Sequence, residues 1–293
     1  MSVTIFRKNI KEYRSGTFPQ TEVKWKAGPL CAEVLSNFPN LQVLHCNSNK
    51  LTSLDGIEGC SQLDRLYCFS NKLTSLAGIE SCTRLTAINC SDNPLVSLEG
   101  LGSCIQLRWL ACMSNQLTTL EDIRACIQLR TVFCHTNKLV LLEGLNDCKQ
   151  LEYLECSYNQ ITSLSAIKGC IMLEQLGCND NSLTSLEEIK GCLDLEILDC
   201  SNNQLTSLIG IESCARLRRL DCSSNRLPSL AGIGGCIRLK NLCCVGCRLE
   251  TLEHIVGLRR LHTINYTANR IGPQMPPVHQ FLASLGRGNK TLF

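Results

Sequence analysis

The chain has 293 residues, 29 Lys and Arg against 26 Asp and Glu (formal net charge +3), 44% hydrophobic residues and only 5% aromatic ones. With the charge this balanced and no block of Lys and Arg, the footprint of a nucleic-acid or acidic-membrane binder is excluded. So few aromatics leave the core to be built from aliphatic side chains and from the 22 cysteines.

Met1 to Ile10 is polar and charged, without the apolar run and small-residue cleavage site of a secretory signal. No stretch approaches the ~18 consecutive apolar residues that span a bilayer. The expected location is cytoplasmic. Over residues 1–40 the pattern predicts short strands at Val3–Phe6 and Glu22–Trp25 and a short amphipathic helix from Pro29 to Asn37. Pro29 suits a first helical turn, and Phe38-Pro39 stops the helix.

From Leu41 a repeat takes over. Leu41, Leu63, Leu85, Leu107, Leu129, Leu151, Leu173, Leu195, Leu217, Leu239 and Leu261 recur every 22 residues. With that leucine as position 1 the unit reads L-x-x-L-x-C-x-x-N-x-L-x-x-L-x-x-I-x-x-C-x-x. Position 4 is Leu, Ile or Val in all eleven units. Position 9 is Asn49, Asn71, Asn93, Asn115, Asn137, Asn159, Asn181, Asn203, Asn225 and Asn269, with Cys247 as the exception. Positions 4 and 6 alternate with polar neighbours, the period-2 mark of a short strand with one buried face. The Asn and the leucines spaced by three after it read as a segment turning the chain back. One unit cannot bury its own inward row, but stacked units share a continuous core. Burying a large apolar side chain is worth roughly 1.5–3 kcal/mol, against about 1–2 kcal/mol per residue for ordering backbone, so stability rests on stacking. A buried amide at position 9 must have its donors and acceptor met. Bonds to the loop backbone of its own and the next turn make that column structural.

This pattern, as in Leu198-Asp199-Cys200-Ser201-Asn202-Asn203-Gln204-Leu205, resembles the leucine-rich-repeat superfamily over residues 41–272. The resemblance is to its 22-residue class, found in a phosphatase regulatory subunit and in bacterial internalins; the cysteine-rich variant is similar to repeats of Bacteroidetes and of large DNA viruses of amoebae. It implies an α/β solenoid, a right-handed curved stack with a concave parallel β-sheet and a 3-10 or extended convex side. The superfamily shares a scaffold and not an activity. The expected organisation is an N-terminal cap (1–40), eleven repeats (41–272) and a C-terminal cap and tail (273–293). In the last part Gly272-Pro273 and Pro276-Pro277 stop the repeat, Val278 to Leu285 forms a capping helix and Gly286 to Phe293 a loose tail. Pro29-Leu30 with Glu33-Val34-Leu35 is similar to the opening of an F-box, which would imply a ubiquitin-ligase substrate adaptor. That module needs a longer helical run, and Thr17–Lys26 does not read helically.

Ten cysteines occupy position 6 (Cys46, Cys68, Cys90, Cys112, Cys134, Cys156, Cys178, Cys200, Cys222 and Cys244) and nine occupy position 20, from Cys60 to Cys236. Both columns point inward, where a free cysteine behaves as a small hydrophobe. Parallel thiols on strands ~4.8 Å apart do not converge as a disulfide requires. Nineteen core thiols therefore imply a reducing compartment. Cys31, Cys243 and Cys247 fall outside these columns. Cys243-Cys244-Val245-Gly246-Cys247 suggests a metal site, but Cys243 and Cys244 face opposite ways and no second pair at finger-like spacing exists. No metal or cofactor is expected.

Positions 2, 3, 5 and 7 project from the concave face. Repeats two to six place Tyr67, Phe69, Trp109, Met113, Phe133, His135 and Tyr153 there, with Tyr158 on the adjoining loop. Six of the fourteen aromatics thus share one zone, and a contiguous apolar patch of this kind marks an interface. Glu152, Glu155, Glu174, Glu196, Asp180 and Asp199 form an acidic neighbour, flanked by Arg108, Arg130, Arg218 and Arg219. A protein partner with an apolar anchor beside basic residues fits this face; nucleic acid, membrane and small-molecule substrates do not. Ile105, Ile127, Ile171, Leu193 and Ile237 at position 21 leave apolar surface on the convex side. None of His45, His135, His254, His262 and His279 is arranged with a nucleophile, and no phosphate loop or metalloprotease motif occurs. The sequence reads as a non-catalytic protein-interaction scaffold; a structural or assembly component, or host-targeted protein, of a large DNA virus (host cytoplasm) is the alternative beside the ligase adaptor.

Overall fold

The computed structural model describes residues 2–272 and 276–285. The chain divides into two compact units, residues 1–139 with 143–148, and residues 140–142 with 149–293. In the first, β1 (Ser2–Phe6), β2 (Glu22–Lys26), β3 (Val43–His45), β4 (Arg65–Tyr67), β5 (Ala87–Asn89), β6 (Trp109–Ala111) and β7 (Thr131–Phe133) follow in order. In the second come β8 (Tyr153–Glu155), β9 (Gln175–Gly177), β10 (Ile197–Asp199), β11 (Arg219–Asp221), β12 (Asn241–Cys243) and β13 (Thr263–Asn265). Within each unit every strand pairs in parallel with the next, and equal repeat positions face each other, as in Leu44↔Leu66↔Ile88 and Leu176↔Leu198↔Leu220. The architecture is the expected one, a parallel sheet with short 3-10 segments between its strands.

The N-terminal strands continue the register of the repeats. Val23 pairs with Leu44 at position 4, and Ile5 pairs with Trp25. Trp25, fully buried, thus stands where the cysteines of position 6 stand. The predicted helix shrinks to one turn, α1 (Ala32–Leu35), because Cys31 before it is extended at φ −134°. Phe38 after it is buried against Phe18 at 5.2 Å. At the other end α2 (Pro276–Leu285) buries Val278 and packs on the Glu253–Ile255 segment. The tail expected at 286–293 lies outside the described residues.

The turn back from each strand is set by one backbone conformation. Position 8 is left-handed in every repeat, at Ser48, Ser70, Asp92, Ser114, Thr136, Tyr158, Asp180, Asn202, Ser224, Gly246 and Ala268, with φ between 52° and 62°. Such a φ is uncommon outside glycine, and unfavourable for the β-branched Thr136. It swings the next residue, the position-9 Asn, under the sheet. Asn93 shows the pattern: Nδ2 donates to the carbonyls of Cys68 (3.2 Å), Cys90 (3.0 Å) and Ser91 (2.9 Å), while Oδ1 accepts from Leu73 N–H (2.9 Å). Each amide therefore ties its own turn to the one before it. Asn49 reaches the carbonyl of Trp25 (2.8 Å), extending the ladder into β2.

The cysteine columns are packed and hydrogen-bonded. All twenty-two cysteines are unbridged, and both columns are buried. Position-20 thiols reach back to the preceding turn, as Cys126 does to the carbonyls of Leu101 (3.4 Å) and Cys104 (3.5 Å). Position-6 thiols reach forward, as Cys90 does to Ala111 (3.5 Å) and Cys200 to Asp221 (3.4 Å). A thiol is a weak donor, but leucine in its place offers the carbonyls nothing. On the far side of each turn, Gly210 adopts φ 113°, and a Cβ there would come within 2.1 Å of the Leu186 carbonyl oxygen. After such a glycine the 3-10 segment starts at position 17 (Ile211–Ser213); where Asp122 or Ala166 replaces it, the segment already includes position 15 (Glu121–Ile123, Ser165–Ile167).

Cys247 interrupts the ladder. Its thiol donates to the Cys222 carbonyl at 3.0 Å, replacing one amide bond. It has no oxygen to accept from Leu227 N–H, as Asn225 accepts from Leu205 at 2.9 Å. Cys247→Asn is therefore expected to raise stability by roughly 1 kcal/mol, read as a higher Tm in thermal denaturation. An unchanged or lower Tm means the thiol already serves the turn as well as the amide.

Candidate functional site

Strand alternation sends positions 4 and 6 into the core and positions 3, 5 and 7 to the open sheet face. On the first unit's face Tyr67 is half-buried and its ring stacks on His45, centroids 4.7 Å apart and 10° from parallel. His45 Nε2 lies 3.4 Å from Glu22 Oε1. Burial lowers the His45 pKa most; Glu22 opposes this, and Lys24 and Lys26 add to it. Sequence reasoning does not single out His45 for this face, although it shares position 5 with Tyr67 one turn earlier. Trp109 and Phe133 form a second pair, tilted by 60° at 6.0 Å, and Ala111 beside them is fully buried. Phe69, Met113 and His135 stand at position 7, each part-buried.

The predicted patch is thus two ring pairs with β5 between them. Register sets Tyr67 against Asn89 and Trp109 against Ala87, so β5 presents only small side chains where large ones flank it. Tyr153, Glu155, Glu174 and Asp199 belong to the second unit.

There the acidic residues of position 5 close the strand ends. Glu155 Oε1 accepts from Ser157 N–H at 3.2 Å, and its carboxylate fills the space over Gly177, where a Cβ would meet Oε2 at 2.1 Å. Asp199 Oδ1 accepts from Ser201 N–H (3.0 Å) and Oγ–H (2.7 Å), and Asp221 Oδ1 from Ser223 N–H (2.9 Å). These are Asx-type turns, which acidic and amide side chains make with the backbone two residues on. Asp199 and Asp221 face each other in register. Burial pushes the Asp199 pKa up most, Asp221 and Glu155 push it the same way, and the Ser201 bonds partly oppose them. Glu174 is exposed, and Glu196 pairs with Arg218 at 3.3 Å. A groove of about 650 Å³ runs over this face, lined by Gln175, Ile197, Asp199, Arg219, Asp221 and Asn241 among others.

Burial holds thiols of the two columns protonated. Burial pushes the Cys60 and Cys104 thiols to about 11 and those of Cys46 and Cys82 to about 12. Cys243 is part-exposed and accepts from the Ser223 hydroxyl at 3.1 Å; burial raises its pKa and that bond opposes the rise. Among the described residues no three His, Cys, Asp or Glu side chains are grouped to hold a metal ion, and no helix is long and apolar enough to cross a membrane.

Residues 39–81 and 194–235 match a family model described as leucine rich repeats (2 copies). An internalin, InlF of Listeria monocytogenes, has a similar structure, with TM-score 0.84, 19% identity, 99% of this chain covered and 89% of that one. The functional domain of InlJ of Listeria monocytogenes, which includes a cysteine ladder, is similar with TM-score 0.65 and 27% identity; 83% of this chain aligns with 56% of that one. The plant peptide hormone receptor RGFR1 in complex with RGF2 is similar with TM-score 0.57 and 20% identity, over 97% of this chain and 63% of that one. No curated protein sequence matches the chain. The fold is that of a leucine-rich-repeat solenoid, a scaffold generally non-catalytic and commonly used for protein–protein interaction.

Two outcomes are expected. Alkylation with N-ethylmaleimide of the native protein modifies Cys31 and Cys243, the two cysteines that are not buried, and the remainder only after denaturation. Intact mass separates this from broad labelling, which would mean the core opens readily. For Asp199, a pKa raised by folding means its stabilising contribution is present below the ordinary carboxylate range and lost as pH rises through the raised value. Asp199→Asn, which keeps the acceptor oxygen for Ser201, is expected to raise Tm at neutral pH, with the gap closing in acid. A gap independent of pH would sink the assignment.

Proposed function

We propose that this leucine-rich-repeat chain is a non-catalytic scaffold that binds a protein partner on its open sheet face. In the first unit Tyr67, Phe69, Trp109, Met113, Phe133 and His135 are the anchors; in the second, Tyr153 with Glu155, Glu174 and Asp199 receives basic residues of the partner. The observation that carries this is the Trp109–Phe133 pair, whose rings stand at positions where other repeats are content with Ala, Asn or Thr. Core packing asks nothing of these positions, and aromatic side chains left on a surface supply contact area at an interface. Glu155 and Asp199 serve the strand ends as well, so their role toward a partner rests on charge. The RGFR1 complex with RGF2 is a neighbour that supports ligand binding by such a scaffold. The unbridged thiol columns favour a reducing compartment such as the cytoplasm.

A second reading, an assembly component such as that of a large DNA virus, is favoured by the position-21 residues on the other side. Ile105, Ile127, Ile171, Leu193 and Ile237 are each more than half exposed. The ligase-adaptor reading loses support, since residues 2–26 contribute two sheet strands and α1 is a single turn.

Affinity capture with mass spectrometry from a reducing lysate tests the first reading. Wild type is compared with a Tyr67→Ala, Trp109→Ala, Phe133→Ala, Tyr153→Ala variant shown to be folded by circular dichroism. A partner present with wild type and lost from the variant is the expected result. The same proteins captured by both would move the binding site off the open face.

A further inference from the structure

The flank on which each turn re-enters the sheet changes sign along the second unit. Position 2 there runs Glu152, Glu174, Glu196, Arg218, Lys240 and His262. From Glu174 onward each backbone N–H of this column donates to the carbonyl of the residue before it in the column, at 2.8 or 2.9 Å. Residues 22 apart in the sequence therefore stand about 4.8 Å apart, in a column acidic over three turns and basic over the next two. Position 22 changes sign at the same place, from Asp194 to Arg216 and Arg238. Beside it, Ile171, Leu193 and Ile237 at position 21 are 59%, 56% and 60% exposed. At the switch the charges are paired within the chain, Arg216 with Asp194 at 2.7 Å and Arg218 with Glu196 at 3.3 Å. One turn out on either side, Glu174, Arg238 and Lys240 are exposed and make no ion pair among the described residues.

A strip with an apolar column and a charge that reverses along its length is complementary to its own reversed copy. We propose that this flank is the contact between two copies of the chain, packed antiparallel about a two-fold axis between turns eight and nine. An axis lying in the contact plane and across the stack keeps each column facing itself and reverses the order of the turns. Glu174 then meets the partner subunit's Lys240, and Glu196 meets the partner subunit's Arg218. Asp194 meets the partner subunit's Arg216, and Ile171 the partner subunit's Ile237. The ion pairs already formed at the switch in each copy come together there as one network, and networks hold where isolated exposed pairs contribute little. An axis along the stack would instead set each turn against itself with its columns exchanged, leaving Glu174 over Ile171. A polyanion fits the strip poorly, because the acidic half repels it. The match ends one turn further out, where Lys149 would face Arg259. A contact of this extent is at the low end of specific interfaces, so the dimer is weak. The inference shares only Glu174 with the open-face reading and does not rest on it.

Sedimentation equilibrium of the full chain over a concentration series, with reductant present, reads the monomer–dimer equilibrium. Wild type is compared with Glu174→Lys, with Lys240→Glu and with an equimolar mixture of the two variants. Wild type is expected to dimerise, and less so as added salt shortens the screening length. In a self-complementary contact each substitution is felt twice, so each single variant dimerises roughly ten-fold or more weakly. The mixture restores opposite charges at both contacts and recovers the wild-type dimer, which also shows that both variants are folded. Ile237→Ser, which removes apolar contact and no charge, weakens the dimer as well. A wild type that stays monomeric at every concentration overturns the inference and leaves the flank to another partner. Single variants that dimerise like wild type, or a mixture that recovers nothing, overturn the antiparallel pairing.

Discussion

The carboxamide at position 9 is the interaction on which the remaining structure depends. It is the one polar group that nearly every turn places under its sheet, and in water-free surroundings its donors and acceptor must all be met. They are met by carbonyls of two successive turns and by an N–H of the preceding one. The amide therefore fixes both the path of the chain within a turn and the registration of one turn on the next. Leucines supply most of the burial energy, but apolar contact is non-directional. The strand ladder holds register along one side of each turn, and the amide ladder adds directional bonds where the chain turns back. The left-handed residue at position 8 serves this need, since it turns the amide inward.

The open face carries the opposite logic. Its side chains answer to no neighbour in the core, so they vary from turn to turn. That freedom is bounded where the sheet needs its strand ends closed. Five turns use an Asx or Glx side chain at position 5 with Ser or Thr at position 7 to do this, at Asn89, Glu155, Asp199, Asp221 and Asn265. Tyr67 and Phe133 occupy the same position without that contribution. Aromatic residues at position 5 thus stand where other turns place a side chain that closes the strand end.

Much of this is legible in the residues alone, because columns of Leu, Cys and Asn repeat as letters. Strand placement, the inward thiols and the structural nature of the Asn column all derive from that phasing. Other features do not repeat as letters. Position 8 holds Ser, Asp, Thr, Tyr, Asn, Gly and Ala yet has one conformation, because the inward turn of the next residue constrains its backbone and its own side chain does not. Val23 and Trp25 continue columns 4 and 6, but in a segment whose spacing to Leu44 is one residue shorter, so the phase escapes inspection. The two ring pairs look continuous in the sequence because the small residues of β5 become a gap only once strands are set side by side.

The reciprocal bonding of successive turns has an evolutionary consequence. Each turn offers its neighbours the same carbonyls and amides that it receives from them. Duplicating or losing one whole turn therefore leaves each remaining group facing a partner of the kind it had before. An insertion of any other length inside a strand or its Asn turn would strand an amide in the core. Length in such a chain changes by a fixed quantum, and the open face can be extended, shortened or shuffled one line at a time.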